Sequence, residues 1–337
     1  MSAVEQPTVT SSGQGSGLKI RNLTVTYRTE RGRFAALKDV SLDVRPRTIT
    51  GFIGESGSGK TTLAMAAMNA IRPPGVISAG TIESEGVGDI LKLQGESLRR
   101  IHGQHFGFVF QASSNSLNPL KRVGAQLMDL ARSHGVKDTR ALLHEAKQLA
   151  ERMGMDGDRV LTSYQHELSG GMRQRVGIIF ALVLRAKIVI LDEPTTALDM
   201  LSQQAVLEIV RQIHQERGLT TIIITHDMGV VAEMADRVVV LYAGRVVEEG
   251  MTADLLQHPR HPYTRGLIHA IPRIVGDLSE AKPLAGSPPD LATIPDQGCV
   301  FRDRCPIRMS ICDTVDPAYQ TAHQDGMVAC HGVNSHD

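Results

Sequence analysis

Nine consecutive residues, Gly54-Glu55-Ser56-Gly57-Ser58-Gly59-Lys60-Thr61-Thr62, fit the pattern G-x-x-x-x-G-K-[ST]. The chemistry of that pattern is anion binding. Its glycines let the backbone curl until successive N–H groups aim at one point, and a helix starting there adds its positive N-terminal end. Lys60 is placed to reach the β/γ-phosphates of a nucleoside triphosphate, and Thr61 to offer its hydroxyl to Mg²⁺. Ile188-Val189-Ile190-Leu191-Asp192-Glu193 is four apolar residues followed by two carboxylates. A buried strand of this kind delivers both acids to the carboxyl edge of a sheet. Asp192 then suits the Mg²⁺ shell, and Glu193, one step further, suits polarising an attacking water. The plainer reading, a strand ending in a solvated acidic turn, gives way once the phosphate loop is present. His226 follows Ile222-Ile223-Ile224-Thr225 and arrives at the same edge, where it can hold a γ-phosphate or the water; alone it would be a polar loop residue. Leu168-Ser169-Gly170-Gly171-Met172-Arg173-Gln174-Arg175 is a second glycine-bearing turn opening a helix. One chain has no geometric need for two anion sites, so this one can face the nucleotide of another subunit. The alternative is a simple N-cap by Ser169.

The elements that must position these residues can be read from the pattern. Residues 18–27, 36–44 and 48–53 read as strands, the last entering the phosphate loop, and 63–71 as the helix that follows it, ended by Pro73-Pro74-Gly75. Residues 106–110 form a short apolar strand ending at Gln111, and 123–153 carry apolar residues at helical spacing. Residues 188–191 and 221–224 read as buried strands with a helix over 203–217 between them. Residues 238–242 and 245–248 read as a hairpin, and 252–257 as a short helix. Strands alternating with helices predict an α/β fold around a mostly parallel, covered sheet.

Taken together, the phosphate loop, Gln111 after an aromatic-rich strand, Leu168–Gln174, Asp192-Glu193, Ala197-Leu198-Asp199 and Thr225-His226-Asp227 come in the order and spacing of ABC-transporter ATPase subunits, and the chain resembles that family over residues 18–256. Leu168–Gln174 resembles the family's signature sequence. The resemblance implies a P-loop ATPase core with an antiparallel β subdomain and an α-helical signature subdomain at about 112–185. It implies further roles by position. Tyr27 would stack on adenine, where otherwise it is a strand-edge tyrosine. Gln111 would sense Mg²⁺ and the membrane partner, beside Thr61 and Asp192 as Mg²⁺ residues. Gly54, Ser56, Gly57, Ser58, Gly59, Lys60, Thr61 and Thr62 would hold the nucleotide, and Glu193, His226 and Gln111 would serve catalysis. Ser169 and Gly171 would bind the γ-phosphate held by the opposite subunit, Gly170 and Gln174 would also be nucleotide-binding residues, and Asp199 would couple the two sites.

The tail narrows the resemblance. His261-Pro262-Tyr263-Thr264-Arg265-Gly266-Leu267, Ile271-Pro272, and Gly298-Cys299-Val300-Phe301-Arg302-Asp303-Arg304-Cys305-Pro306 are similar to the segment beyond the ATPase core in di- and oligopeptide importers, as is Ser116-Leu117-Asn118-Pro119. The chain therefore resembles the D-type ATPase subunit of such an importer. Residues 112–115, Ala-Ser-Ser-Asn where Asp-Pro is usual, and Gln165, where proline is common, depart from that pattern where the ATPase meets its membrane partner. The predicted domains are a disordered 1–17, an ATPase domain over 18–257, and a C-terminal module over 258–337, where nine prolines break any long element. All four cysteines, Cys299, Cys305, Cys312 and Cys330, lie in that module. Clustering in a reducing compartment points to a ligand set more than to disulfides. No close C-x2-C pair favours zinc, Cys305-Pro306 resembles the ferredoxin Cys-Pro step, and a segment this poor in apolar residues needs a staple. The expectation is a structural [4Fe–4S] cluster, which the resemblance also favours, with zinc second and no metal third.

Bulk properties exclude other classes. The 337 residues are 42% hydrophobic and carry 36 basic and 36 acidic side chains, a balance without the basic excess of a nucleic-acid binder, so no nucleic-acid partner is expected. The longest apolar run, Val176 to Leu184, is far short of a membrane span, and the N-terminus lacks signal-peptide character. The expected location is the cytoplasmic face of the cell (inner) membrane, held there by partners. The resemblance implies ATP and Mg²⁺, a second, non-identical ATPase subunit, two membrane permease subunits and an extracytoplasmic solute-binding protein. Two rivals are a soluble ABC ATPase of DNA repair or translation, which would carry coiled-coil insertions or two cassettes, and a catalytically dead cassette, against which Glu193 and His226 speak. Within the importer family, a nickel chelate or an oligosaccharide is the alternative solute.

Overall fold

The structure, a computed structural model, describes residues 16–30, 32–111, 117–196, 198–270, 284, 286–295, 297–322 and 325–333. The departures at 112–115, Ser116, Ala197, Ile271-Pro272 and all of 1–15 lie outside the described residues. Ser16, at the end of the stretch expected to be disordered, is buried, and its hydroxyl donates to Glu85 O at 2.7 Å.

Two sheets carry the fold. β1 (Leu18–Thr29) and β2 (Gly32–Val44) pair antiparallel in a long hairpin, and β1 also pairs antiparallel with a later strand. Next in the chain come β3 (Ile49–Ile53), α1 (Lys60–Ala67), β4 (Gly75–Ser84), β5 (Gly88–Asp89), α2 (Gly95–Gln104) and β6 (Phe106–Val109). The first sheet, β2-β1-β4-β5, is wholly antiparallel. Four helices follow: α3 (Val123–Ser133), α4 (Thr139–Arg152), α5 (Gly157–Thr162) and α6 (Gly170–Leu182). Then β7 (Ile188–Asp192), α7 (Met200–Arg217), β8 (Thr220–Ile224), α8 (Met228–Met234), β9 (Arg237–Tyr242) and β10 (Arg245–Met251) complete the core. The tail adds α9 (Thr252–Gln257), α10 (Pro262–His269), β11 (Tyr319–Thr321) and β12 (Met327–Ala329).

The second sheet has the order β11-β12-β10-β9-β3-β8-β7-β6. Its β9-β3-β8-β7-β6 part is parallel, and its other pairings are antiparallel. β3, β7, β8 and β9 are buried at every position, as uninterrupted apolar runs in a sheet covered on both faces must be. Helix starts follow local chemistry. Asp138, Asp156, Ser169, Asp199 and Asp227 each accept a backbone N–H of the helix that they precede, satisfying donors that a helix leaves open. Three apolar cores result. One lies among α3–α6, α7 and one face of the parallel sheet. A second lies between the two sheets around α1. The third joins β9, β10, α9 and α10 to Phe301 and the cysteines Cys299, Cys305 and Cys312.

The strands and helices read from the sequence are present, but α1 begins at Lys60 and ends at Ala67 with Met68 as its cap, so it starts three residues before the expected 63–71 and stops well short of Pro73. β4, β5, α2, α5, α8, α10, β11 and β12 were not foreseen. The chain beyond 257 is joined to the ATPase domain by strand pairing. β12 pairs with β10 (Glu248 to Val328, Glu249 to Met327), so the tail extends the ATPase sheet.

Candidate nucleotide site

The phosphate loop joins β3 to α1. Gly54 has φ +149 and a Cβ there would run into the carbonyl oxygen of Leu241; Gly59 has φ +102 and a Cβ there would lie 2.9 Å from Ala36 O. Neither position accepts another residue without moving backbone. Lys60 is buried, and its ammonium donates to Gly54 O (2.8 Å) and Glu55 O (2.9 Å), so it is held across the loop. Burial lowers its pKa, opposed by the charges of Glu193, Asp192 and Glu55.

At the parallel sheet's carboxyl edge β7 delivers Asp192. Thr61 Oγ1 donates to its Oδ2 at 2.9 Å, while its buried Oδ1 meets no hydrogen-bond partner among the described residues. Desolvation raises the Asp192 pKa; the Thr61 bond opposes it. A buried carboxylate oxygen with no donor, next to a hydroxyl, is a fitting donor pair for a hard divalent cation. Glu193 takes φ +51, a left-handed bend that carries its side chain off the strand line. His226 Nδ1–H donates to Glu193 Oε1 (2.7 Å) and Thr196 Oγ1 to Oε2 (3.1 Å). Glu193 N–H donates to Ile224 O of β8 (2.9 Å), and Gln174 Nε2 of α6 donates to Glu193 O (3.3 Å). The residue is therefore held through both its backbone and its carboxylate.

These groups surround one cleft of about 710 Å³, lined among others by Tyr27, Gln111, Lys60, Asp192, Glu193 and His226. Tyr27 stacks on Phe34 with ring centroids 5.9 Å apart and planes 15° from parallel. The cleft thus brings together an aromatic pair, the phosphate loop with Lys60, and the two acids, groups that suit a purine triphosphate carrying a divalent cation.

The protein comparisons agree with this geometry. Residues 37–196 match the ABC transporter family, and residues 247–312 match the oligopeptide/dipeptide transporter C-terminal region. A dipeptide transport ATP-binding protein DppD of Caldanaerobacter subterraneus is 37% identical over 315 residues, 93% of this chain and 96% of that one. An oligopeptide transport ATP-binding protein OppD of Salmonella typhimurium is 38% identical over 301 residues, 89% of each chain. This chain belongs to the oligopeptide/dipeptide branch of the ABC-transporter ATPases. Among solved structures, the dimeric ATP-binding cassette MJ0796, in a post-hydrolysis state bound to ADP and Pi, superposes with a TM-score of 0.62 at 27% identity, covering 70% of this chain and 98% of that one.

In this ABC subunit the expected nucleotide residues fall into two groups. Tyr27, Ser56 to Thr62, Gln111, Asp192, Glu193 and His226 meet in the cleft, with Gly54 opening the loop. Ser169, Gly170, Gly171 and Asp199 do not line it. Ser169 is exposed, and its Oγ accepts from Met172 N–H at 3.2 Å as the cap of α6. Asp199 is the exposed cap of α7. Gln174, through its bond to Glu193 O, links the signature helix to the cleft. Sequence reasoning missed Phe34, Thr196, Leu291 and the loop contacts of the tail. Phe34 was within reach, since it faces Tyr27 in the β1–β2 register.

The cysteine expectation is not supported. Among the described residues no group of three or more His, Cys, Asp or Glu is placed to hold a metal ion. Cys299, Cys312 and Cys330 are buried, and burial pushes the Cys299 thiol up to about 11 and raises Cys305 and Cys330. Cys299 and Cys312 belong to the third core, and Cys305 packs against it. The described residues therefore give no support to a [4Fe–4S] cluster or to zinc. Among the described residues, no helix is long and apolar enough to cross a membrane.

Proposed function

We propose that this chain is the ATP-hydrolysing subunit of a membrane importer for di- or oligopeptides, working in a head-to-tail ATPase pair. The observation that carries the proposal is the division of its nucleotide residues: a cleft with loop, acids and histidine, and an exposed α6 N-terminus outside it. A shared site needs that division, since each chain supplies a cleft to one nucleotide and a signature segment to another. The second ATPase is a non-identical subunit, two permeases span the membrane, and an extracytoplasmic protein delivers the solute. The complex holds this chain at the inner membrane's cytoplasmic face.

Within the site, Tyr27 and Phe34 support the adenine, and loop N–H groups with Lys60 hold the β- and γ-phosphates. Thr61, Asp192 and Gln111 would hold Mg²⁺, which would supply positive charge to offset that of the phosphates. Glu193, oriented by His226 and Thr196, orients the attacking water and takes its proton. His226 keeps that carboxylate aimed and faces the γ-phosphate end. Ser169, Gly170 and Gly171 close over the partner's γ-phosphate with the N-terminal end of α6, and Asp199 links the two sites. Closure on ATP pulls on the permeases through the surface after Gln111, and hydrolysis resets the pair.

The reading is tested by co-purifying the complex, identifying its solute-binding protein and measuring ATP-driven uptake in proteoliposomes. Uptake of labelled di- or oligopeptides is expected; uptake of an oligosaccharide or metal chelate alone would contradict it. The iron–sulfur reading of Cys299, Cys305, Cys312 and Cys330 rests on spacing and resemblance alone, and no step passes through it. Iron and sulfide analysis of anaerobically purified protein decides it: stoichiometric iron and sulfide would establish a cluster, and metal-free protein would dismiss it.

A further inference from the structure

Glu55 occupies a position of the phosphate loop that the motif leaves open, yet it is gripped from the far end of the chain. Arg304 forms a two-pronged ion pair with its carboxylate, Nη1 to Oε2 at 2.6 Å and Nη2 to Oε1 at 3.0 Å. The Arg304 side chain is only 6% exposed and Glu55 23%, so the pair is shielded from solvent. The guanidinium lies 5.8 Å from the Tyr242 ring centre and 6.0 Å from that of Phe301. The backbone of the same loop residue is held as well: Glu55 N–H donates to the hydroxyl of Tyr263, which is fully buried, at 2.8 Å. Tyr263 belongs to α10, and Arg304 directly precedes Cys305. Both therefore come from the tail, and the aromatic group of Tyr242, Tyr263 and Phe301 joins them.

We propose that the tail braces the phosphate loop, with Arg304 and Tyr263 as positioning residues that hold Glu55 and thereby preset the loop for the triphosphate. Neither side chain needs to touch nucleotide. Lys60 takes its place from Gly54 O and Glu55 O, so fixing residue 55 steadies the carbonyls that aim the ammonium. A loop ordered before binding does not have to be ordered by the ligand, and that gain appears in affinity. This inference rests on the cleft being the Mg-ATP site.

The experiment is Mg-ATP titration of the full chain, with KM and kcat read in the reconstituted complex. Arg304→Met keeps bulk and removes the fork. It is expected to weaken Mg-ATP about tenfold, within the range of a charge-assisted contact, with kcat little changed. Arg304→Met combined with Glu55→Gln restores charge balance but not the ion pair, and should stay weakened. Arg304→Lys should recover only part, because one ammonium cannot reproduce the fork. Wild-type affinity in Arg304→Met or in the double variant, or a fall in kcat at unchanged KM, overturns the brace. If Arg304→Met does not fold, Tyr263→Phe, which deletes only the oxygen that receives Glu55 N–H, should raise KM at constant kcat, and an unchanged KM overturns the proposal. Absence of Mg-ATP binding by wild-type protein would instead remove the functional reading and the brace with it.

Discussion

Glu193 is bent off its strand by a left-handed backbone and bonded through both carboxylate oxygens. Such fixing costs about 1–3 kcal/mol in backbone strain, and persists where orientation matters. Glu193→Gln keeps the shape and loses the base. Mg-ATP affinity should be retained while turnover falls about 10²–10⁴-fold; equilibrium titration with phosphate-release kinetics checks both. Lys60→Ala should act on binding instead, weakening Mg-ATP by roughly 1.5–3 kcal/mol as a charge-assisted contact is lost, and unchanged affinity in titration would remove the loop assignment. At this scale much was legible. Lys60, Thr61, Asp192 and His226 were readable because motif and strand end fix their place whatever surrounds them. Thr196 and Arg304 were not, because their partners lie 3 and 249 positions away through turns and packing that no short pattern encodes.

Helix ends set the next scale. Ser169 caps α6, and the same residue is proposed to face the partner's nucleotide. Ser169→Arg should leave the lone chain's ATP affinity unchanged and lower hydrolysis in the assembled complex; full activity in an isolated monomer would contradict the shared site. His261 caps α10 from a fully buried position, its Nδ1 accepting Tyr263 N–H at 3.0 Å. Burial lowers its pKa from 6.5 to about 3. Between those values the unfolded chain binds more protons than the folded one, so this group takes stability away as pH falls below 6.5. His261→Asn keeps a capping oxygen and should flatten the acid limb by up to about one proton. Urea midpoints against pH measure it, and comparison with wild type cancels the opposite contribution of buried Glu248, whose pKa is raised by desolvation; equal slopes would contradict it. The periodic α3, α4 and α7 were readable because each carries one apolar stripe. α8 and α10 were not, being short and placed by their caps and by the third core. β4 was not, because most of its residues are exposed, and Gly80 interrupts it.

Across the whole molecule, the tail is built into the ATPase. β12 continues the sheet from β10, Arg304 and Tyr263 reach the phosphate loop, and Leu291 lines the nucleotide cleft. The prolines after 257 suggested a boundary, but long-range strand pairing leaves no local signature, so the shared sheet was invisible in the sequence. Deleting residues 316–337 would uncover the β10 edge; lowered melting temperature and self-association are expected, and an equally stable, monodisperse product would contradict the shared sheet. The proposed hydrolysis of ATP in this chain's cleft runs through Glu193 within an assembled transporter. It is tested most directly by phosphate release from the reconstituted complex, with the second ATPase site silenced, with and without Glu193→Gln. Clear hydrolysis with the native Glu193 and near-complete loss in the Glu193→Gln complex are expected; hydrolysis at the wild-type rate in that variant would contradict the proposed role of Glu193.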